Sequence, residues 1–317
     1  MTLARQLSVL IITHKLREVA AFADEVTVLR KGQCVGSGQV SELKISQMAE
    51  MMVGSEVTAK PKQRTVLSKK VPKLVLQDIR VKDDIGVEVV RGLHLTIHEG
   101  EIVGVAGVSG NGQRELVEVL AGQRQAVAGT IRVQDQPFQP TREKIMQHKM
   151  FCLPEEPLQN TCVGRMTVSE NLAFRNFDVV PHAMGGWLIS RSALRRSAFG
   201  LIERYNIKPP NPDIPIQSLS GGNVQRAVLA RELSAEVEIL IIANPCFGLD
   251  FLAMEEIRLQ IVAARNRGTA VLLISEDLDE ILELSDRTVV MFNGQLVYET
   301  TSSDLAIIGR RMTGHTT

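Results

Sequence analysis

The segment GVSGNGQR, Gly107 to Arg114, places four residues between Gly107 and Gly112. Between a strand and a helix, that spacing lets consecutive backbone N–H groups converge on a phosphate, helped by the helix N-terminus. Val108, Ser109, Gly110 and Asn111 fill the loop. A complete phosphate-binding loop continues with Lys for the β- and γ-phosphates and Ser or Thr for Mg²⁺. Gln113 and Arg114 stand there instead. Gln offers a neutral hydrogen bond where a cation is wanted, and Arg has no oxygen to give a metal. Taken alone, the loop is equally compatible with a plain Gly-rich turn.

Two further runs lie downstream. Leu219 to Arg226 reads LSGGNVQR, and Glu238 to Asp250 reads EILIIANPCFGLD. The elements that must position them alternate. The strand-like segments Leu74–Val81 and Val87–Ile97 precede an apolar strand, Ile102–Ala106, and a helix follows the Gly-rich loop. Residues 155–230 are mostly helical in pattern, with a loop-rich middle from Pro181 to Trp187. A strand over Ile239–Ala243, a helix over Met254–Asn266 and a last strand–helix–strand unit complete the chain. Strand–loop–helix alternation around buried apolar strands predicts an α/β domain with a largely parallel sheet and an inserted helical subdomain.

The last unit occurs twice. Val9 to Gln33 and Val271 to Gln295 align without a gap: Leu16 falls on Leu278, Glu18 on Glu280, Asp24 on Asp286 and Gly32 on Gly294. Each copy is patterned as strand, polar step, amphipathic helix, strand and Gly turn. Leu74 to Ala270 precede the second copy, but only Met1 to Ser8 precede the first. The expectation is two equivalent domains in tandem, the first almost entirely missing. The boundaries are then 1–54 for its C-terminal remnant, 55–73 for a Lys-rich linker and 74–314 for the second domain. The linker lacks aromatics for base stacking, which favours a solvated tether over a nucleic-acid arm.

Composition narrows the classes. Formal net charge is zero, so no general attraction to nucleic acid or anionic lipid is implied. No apolar run nears the roughly 18 residues of a membrane span. Cys34, Cys152, Cys162 and Cys246 show neither CxxC pairing nor disulfide spacing, which suits a reducing compartment. His94 and His98 have a zinc-like spacing, but Leu93, Leu95 and Ile97 alternate with them as in a strand, which argues against a metal.

The ordered set of Gly107–Arg114, LSGGN, NPCFGLD and ISEDLDE resembles the nucleotide-binding domain of ABC transporters. It is most similar to the second domain of the tandem ATPase subunits that energise bacterial uptake of simple sugars and nucleosides. The resemblance implies a P-loop NTPase core with a mainly parallel sheet, an antiparallel β subdomain and an inserted helical subdomain. It also implies a head-to-tail dimer in which ATP lies between one domain's P-loop and the other's signature motif. Ser220, Gly221 and Gly222, with Asn223, would then contact the γ-phosphate across the interface, and Asp250 in the D-loop would face the partner. Glu155 falls at the Q-loop position. Ala243 and Asn244 replace the Asp-Glu that would hold Mg²⁺ and polarise water, and Glu276 stands at the switch His position. His14 matches the switch His of the first domain.

The resemblance therefore implies ATP as cofactor, with Mg²⁺ only in a composite site completed by another domain. It implies as partners a first nucleotide-binding domain or longer form, transmembrane permease subunits and, indirectly, a solute-binding protein, with no nucleic acid. The expected location is the cytoplasmic face of the membrane. The competing expectations are a non-hydrolytic regulatory or assembly partner, a truncated gene product, and a non-transport ABC ATPase. The last finds no coiled-coil insertion to support it.

Overall fold

The computed structural model describes residues 8–13, 16–30, 32–54, 71–186, 188–249, 251–302 and 304–315. His14 and Asp250 lie outside them. The chain divides into two compact units, one of Met1–Lys62 with Asp250–Glu255 and one of Gln63–Leu249 with Glu256–Thr317.

In the larger unit a six-stranded sheet has the order 295–300, 287–292, 102–106, 270–275, 239–243, 150–153. All neighbours run parallel except the edge strand Gln295–Thr300. Every residue of Ile102–Ala106, Ile239–Ala243 and Ala270–Ser275 is buried. Continuous apolar runs of this kind suit parallel strands covered on both faces. The expected bounds for the first two are met at both ends. A four-stranded antiparallel sheet, order 88–98, 72–82, 128–133, 136–137, packs its alternating Leu93, Leu95 and Ile97 into the same core. That strand also carries His98, whose ring lies 2.8 Å from Glu101. Strand pairing begins at Pro72, inside the segment read as a tether.

Between Pro157 and Glu232 the chain forms short helices, then the longer Arg191–Arg204 and Gly221–Glu232. A capping box starts Val168–Leu172: the Thr167 hydroxyl accepts from the Glu170 N–H, and Glu170 accepts from the Thr167 N–H. The stretch read as loop from Pro181 holds a small antiparallel pair, Ala183–Met184 with Leu188–Ile189. Two-residue strands carry too little periodicity to be seen in sequence. The helix expected from Met254 starts at Phe251.

The smaller unit contains the helix Leu16–Phe22, the strand pair Glu25–Arg30 and Gln33–Gln39, and the helix Ile45–Val53. Its register repeats that of the C-terminal pair position by position. Val26 faces Gly38 as Thr288 faces Thr300, and Arg30 faces Gln33 as Phe292 faces Gln295. Even the register shift recurs, between Val28 and Leu29 and between Val290 and Met291. Thr13 donates to Glu18 at 2.7 Å, and Ser275 donates to Glu280 at 2.7 Å. The repeat ends at the first strand. Val271–Ile274 are buried between neighbours, whereas Val9–Ile12 form no strand and are 51–94% exposed. Apolar residues alone do not make a strand; it needs a partner for its backbone groups.

Candidate functional site

Three loops meet at the carboxyl ends of adjacent parallel strands: the Gly-rich loop after Ile102–Ala106, Glu276 after Ala270–Ser275, and Asn244 after Ile239–Ala243. Open parallel sheets bind ligands at this end.

The loop's shape depends on Gly110 at φ +87° and Gly112 at φ +98°. A side chain at Gly112 would strike the Val89 carbonyl oxygen, so close backbone approach as well as φ requires glycine there. Helix Gln113–Leu120 follows directly. The loop is bonded to itself. Gln113, buried at 8% exposure, donates from Nε2 to the Val108 carbonyl at 3.0 Å and accepts the Asn111 N–H at 3.0 Å. Asn111 donates to the same carbonyl at 2.8 Å and accepts the Asn293 N–H at 2.6 Å. One amide that a phosphate would use is thus engaged, and the side chain at the P-loop Lys position threads under its own loop. Arg114 leaves the loop and pairs with Glu118 at 2.8 Å on the helix surface. Ser109 and Gly110 are exposed.

Asn244 sits at φ +45°; its N–H donates to the Ile274 carbonyl and its Oδ1 accepts the Glu276 N–H at 3.0 Å. This side chain ties two strand ends together. Behind them the carboxyl of Glu280 is buried and its pKa raised, first by desolvation, with Cys246, Ser275, Arg258 and Asp277 around it. In the sequence Glu280 is marked only as the counterpart of Glu18 in the repeat and as the last residue of ISEDLDE, with no sign of its burial. Among the described residues no group of three His, Cys, Asp or Glu could hold a metal. Gln113, Arg114, Ala243 and Asn244 give Mg²⁺ no anionic oxygen, so these residues do not fit the ion.

The LSGGN segment has the opposite character. Ser220 is the N-cap residue of Gly221–Glu232, yet its hydroxyl makes no capping bond and accepts from Asn223 at 2.8 Å. Asn223 also accepts the Lys208 N–H at 2.7 Å. A Cβ on Gly221 would meet nothing within 4 Å. The helix N-terminus is therefore open, with the positive end of its dipole toward solvent. Glu155 lies half-buried in the turn after Met150–Leu153, its carbonyl accepting from Asn160 at 2.6 Å. The fold gathers Gly107–Arg114, Asn244 and Glu276 at one sheet end; Ser220–Asn223 are held by their own helix and Lys208.

Comparison with known proteins assigns the class. Residues 90–246 match the ABC transporter family. The fold is that of ABC ATPases: a nucleotide-free ATP-binding cassette from an ABC transporter aligns with TM-score 0.60 at 20% identity, covering 72% of this chain and 90% of that one. The dimeric structure of a bacterial ABC transporter cassette gives 0.61 at 19% identity, covering 72% and 97%. The larger unit thus has the ABC ATPase fold and contains the segment that matches the ABC transporter family.

Its relatives are more particular. The glucose import ATP-binding protein of Haloferax volcanii is 39% identical over 97% of this chain and 56% of its own length. The nucleoside import ATP-binding protein of Lactococcus lactis is 36% identical over 91% and 57%. The ribose import ATP-binding protein of Geobacillus kaustophilus is 30% identical over 99% and 62%. The chain spans little more than half the length of the curated relatives it matches.

Proposed function

We propose that this chain is an ATP-binding component of an importer for simple sugars or nucleosides. In this role it presents Ser220, Gly221 and Gly222 to an ATP whose phosphates another domain's P-loop holds. The observation that carries this reading is the contrast between the two motifs: the signature helix opens to solvent, while Gln113 and Asn111 close the chain's own loop. A γ-phosphate is favoured at such a helix N-terminus. His14, by alignment with Glu276, stands at a switch His position, and Asp250 at a D-loop position. Mg²⁺ would be held by the other domain, since Gln113, Arg114, Ala243 and Asn244 give it no anionic oxygen.

The names of the relatives support import, with permease subunits and a solute-binding protein as partners on the pattern of such systems. No helix among the described residues is long and apolar enough to cross a membrane, so a separate membrane subunit would carry the solute. We place the assembly at the cytoplasmic face.

The test is ATP hydrolysis by the purified chain, alone and mixed with a separate ATP-binding domain that keeps the Lys and Ser or Thr of a complete P-loop. Alone it hydrolyses negligibly; the mixture turns over, and Gly221→Asp abolishes this by setting a carboxylate against the phosphate in a position with room for it. Sustained Mg²⁺-dependent hydrolysis by the chain alone refutes the reading. A mixture that stays inactive assigns the chain to the second reading, a non-hydrolytic assembly partner.

A further inference from the structure

A Ser at an N-cap ordinarily accepts an N–H of the first helical turn through its hydroxyl. Ser220 does not. The Asn223 N–H goes to the Ser220 carbonyl at 2.9 Å, and the hydroxyl is met instead by the Asn223 side chain at 2.8 Å. The other contact of that amide fixes which arm faces Ser220. The Lys208 backbone N–H, 2.7 Å from Asn223, can only donate, so the atom it meets is the oxygen. Arg226 Nη1, 3.5 Å from the same oxygen, is a donor as well. The remaining arm is therefore the NH₂, and Ser220 Oγ must accept from it. The Ser220 proton is then not spent on Asn223, and it has no acceptor among the described residues. Ser220 is exposed, so this O–H is left for a group that arrives from outside.

We propose that Asn223 is a positioning residue: it holds the Ser220 oxygen from within, so that the hydroxyl is presented as a donor to the γ-phosphate. Asn223 itself does not touch the phosphate. The group that fixes its amide is the N–H of Lys208, which follows helix Arg191–Arg204, so a segment remote from the helix it serves sets the direction of the signature hydroxyl. A carboxylate in the same place inverts the bond. Asn223→Asp keeps the shape and still accepts the Lys208 N–H, but its second oxygen can only accept. The Ser220 O–H then turns inward to donate, and its lone pairs face the phosphate. The Arg226 guanidinium beside the first oxygen offsets the added charge. This rests on the reading that LSGGN meets an ATP held by another domain.

The experiment measures kcat/KM for ATP in the mixture of the full 317-residue chain with the separate domain that keeps a complete P-loop. Wild type, Ser220→Ala, Asn223→Asp and the double variant are compared. Each single substitution is expected to lower kcat/KM at least about tenfold, the effect of one hydrogen bond to a charged group. The double variant is expected to be no worse than either single one, because both remove the same bond. Losses that multiply overturn the proposal, since Asn223→Asp then acts without the hydroxyl, through its charge or through the fold. Wild-type activity in Asn223→Asp overturns it too. Urea unfolding of the chain alone isolates a fold defect. An acid in the first helical turn favours the dipole, so Asn223→Asp is expected to unfold no earlier than wild type. A midpoint lowered together with activity assigns the loss to the fold and overturns the proposal. A mixture that is inactive with the wild-type chain removes the composite site and the aiming of Ser220 together. An active mixture whose losses multiply removes only the aiming and leaves the function standing.

Discussion

At the scale of single residues, Gln113 decides what the Gly-rich loop can do. Its amide fills the space under the loop, and it carries no charge to hold a phosphate. Gln113→Lys restores the cation and is expected to tighten ATP binding about tenfold or more, since hydrogen bonds to charged groups contribute roughly 1.5–3 kcal/mol. Isothermal titration calorimetry reads this. Hydrolysis stays absent, because Ala243 and Asn244 still offer no carboxylate. Glu280 makes a separate prediction. Burial holds its carboxyl pKa above the ordinary 4.5, so its contribution to stability is complete below the unfolded pKa and is lost as pH rises through the folded one. Urea unfolding at pH 5 and pH 7.5 should show the wild type losing more stability on that rise than Glu280→Gln, which keeps the shape without the charge. An equal loss in both proteins refutes the assignment. Gln113 was legible in the sequence as a departure from the loop pattern. Its hydrogen bonds into the loop were not, because they depend on where the helix turns the side chain.

At the scale of elements, the helix Gly221–Glu232 carries the signature at one end and a buried ion cluster at the other. Glu232 is fully buried and bonds Arg231 at 2.7 Å and Arg175 at 2.7 Å. Arg231 in turn donates to the Thr161 carbonyl at 2.9 Å. These bonds fasten the helix end to the segment after the Glu155 turn. Glu232→Ala removes one partner and leaves two guanidinium groups uncompensated. The expected cost is about 3–5 kcal/mol, the range for breaking a buried pair, read as a lowered urea midpoint. A loss under about 1 kcal/mol would mean that the pair behaves as a solvated one. LSGGN announced itself in the sequence, but Arg231 and Glu232 read only as an ordinary charged helix end. Adjacent residues pointing into one buried cluster follow from the packing of Arg175 and Thr161, which are remote in the chain.

At the scale of the whole molecule, two copies of one unit share sequence pattern, strand register and a Ser/Thr–Glu bond, yet differ in what surrounds them. Val271–Ile274 lie inside a six-stranded sheet, and Val9–Ile12 are exposed. Hydrogen exchange on the isolated chain should separate the copies. Amides of Val271–Ile274 open only with global unfolding, while those of Val9–Ile12 exchange at rates near those of an open chain. Equal protection would show that the first copy already has a strand partner.

The sequence by itself determined the ABC fold class, the strand bounds at Ile102–Ala106 and Ile239–Ala243, the repeat and the positions of its motifs. Each of these is encoded locally, in apolar runs, glycine spacing and residue identity. Tertiary structure alone decided that Gln113 and Asn111 close their own loop, that Asn244 joins two strand ends, and that Val9–Ile12, apolar enough for a strand, form none. The physical reason is common to all three. A hydrogen bond or a strand exists only between partners, and the sequence of one partner does not state whether the other is within reach.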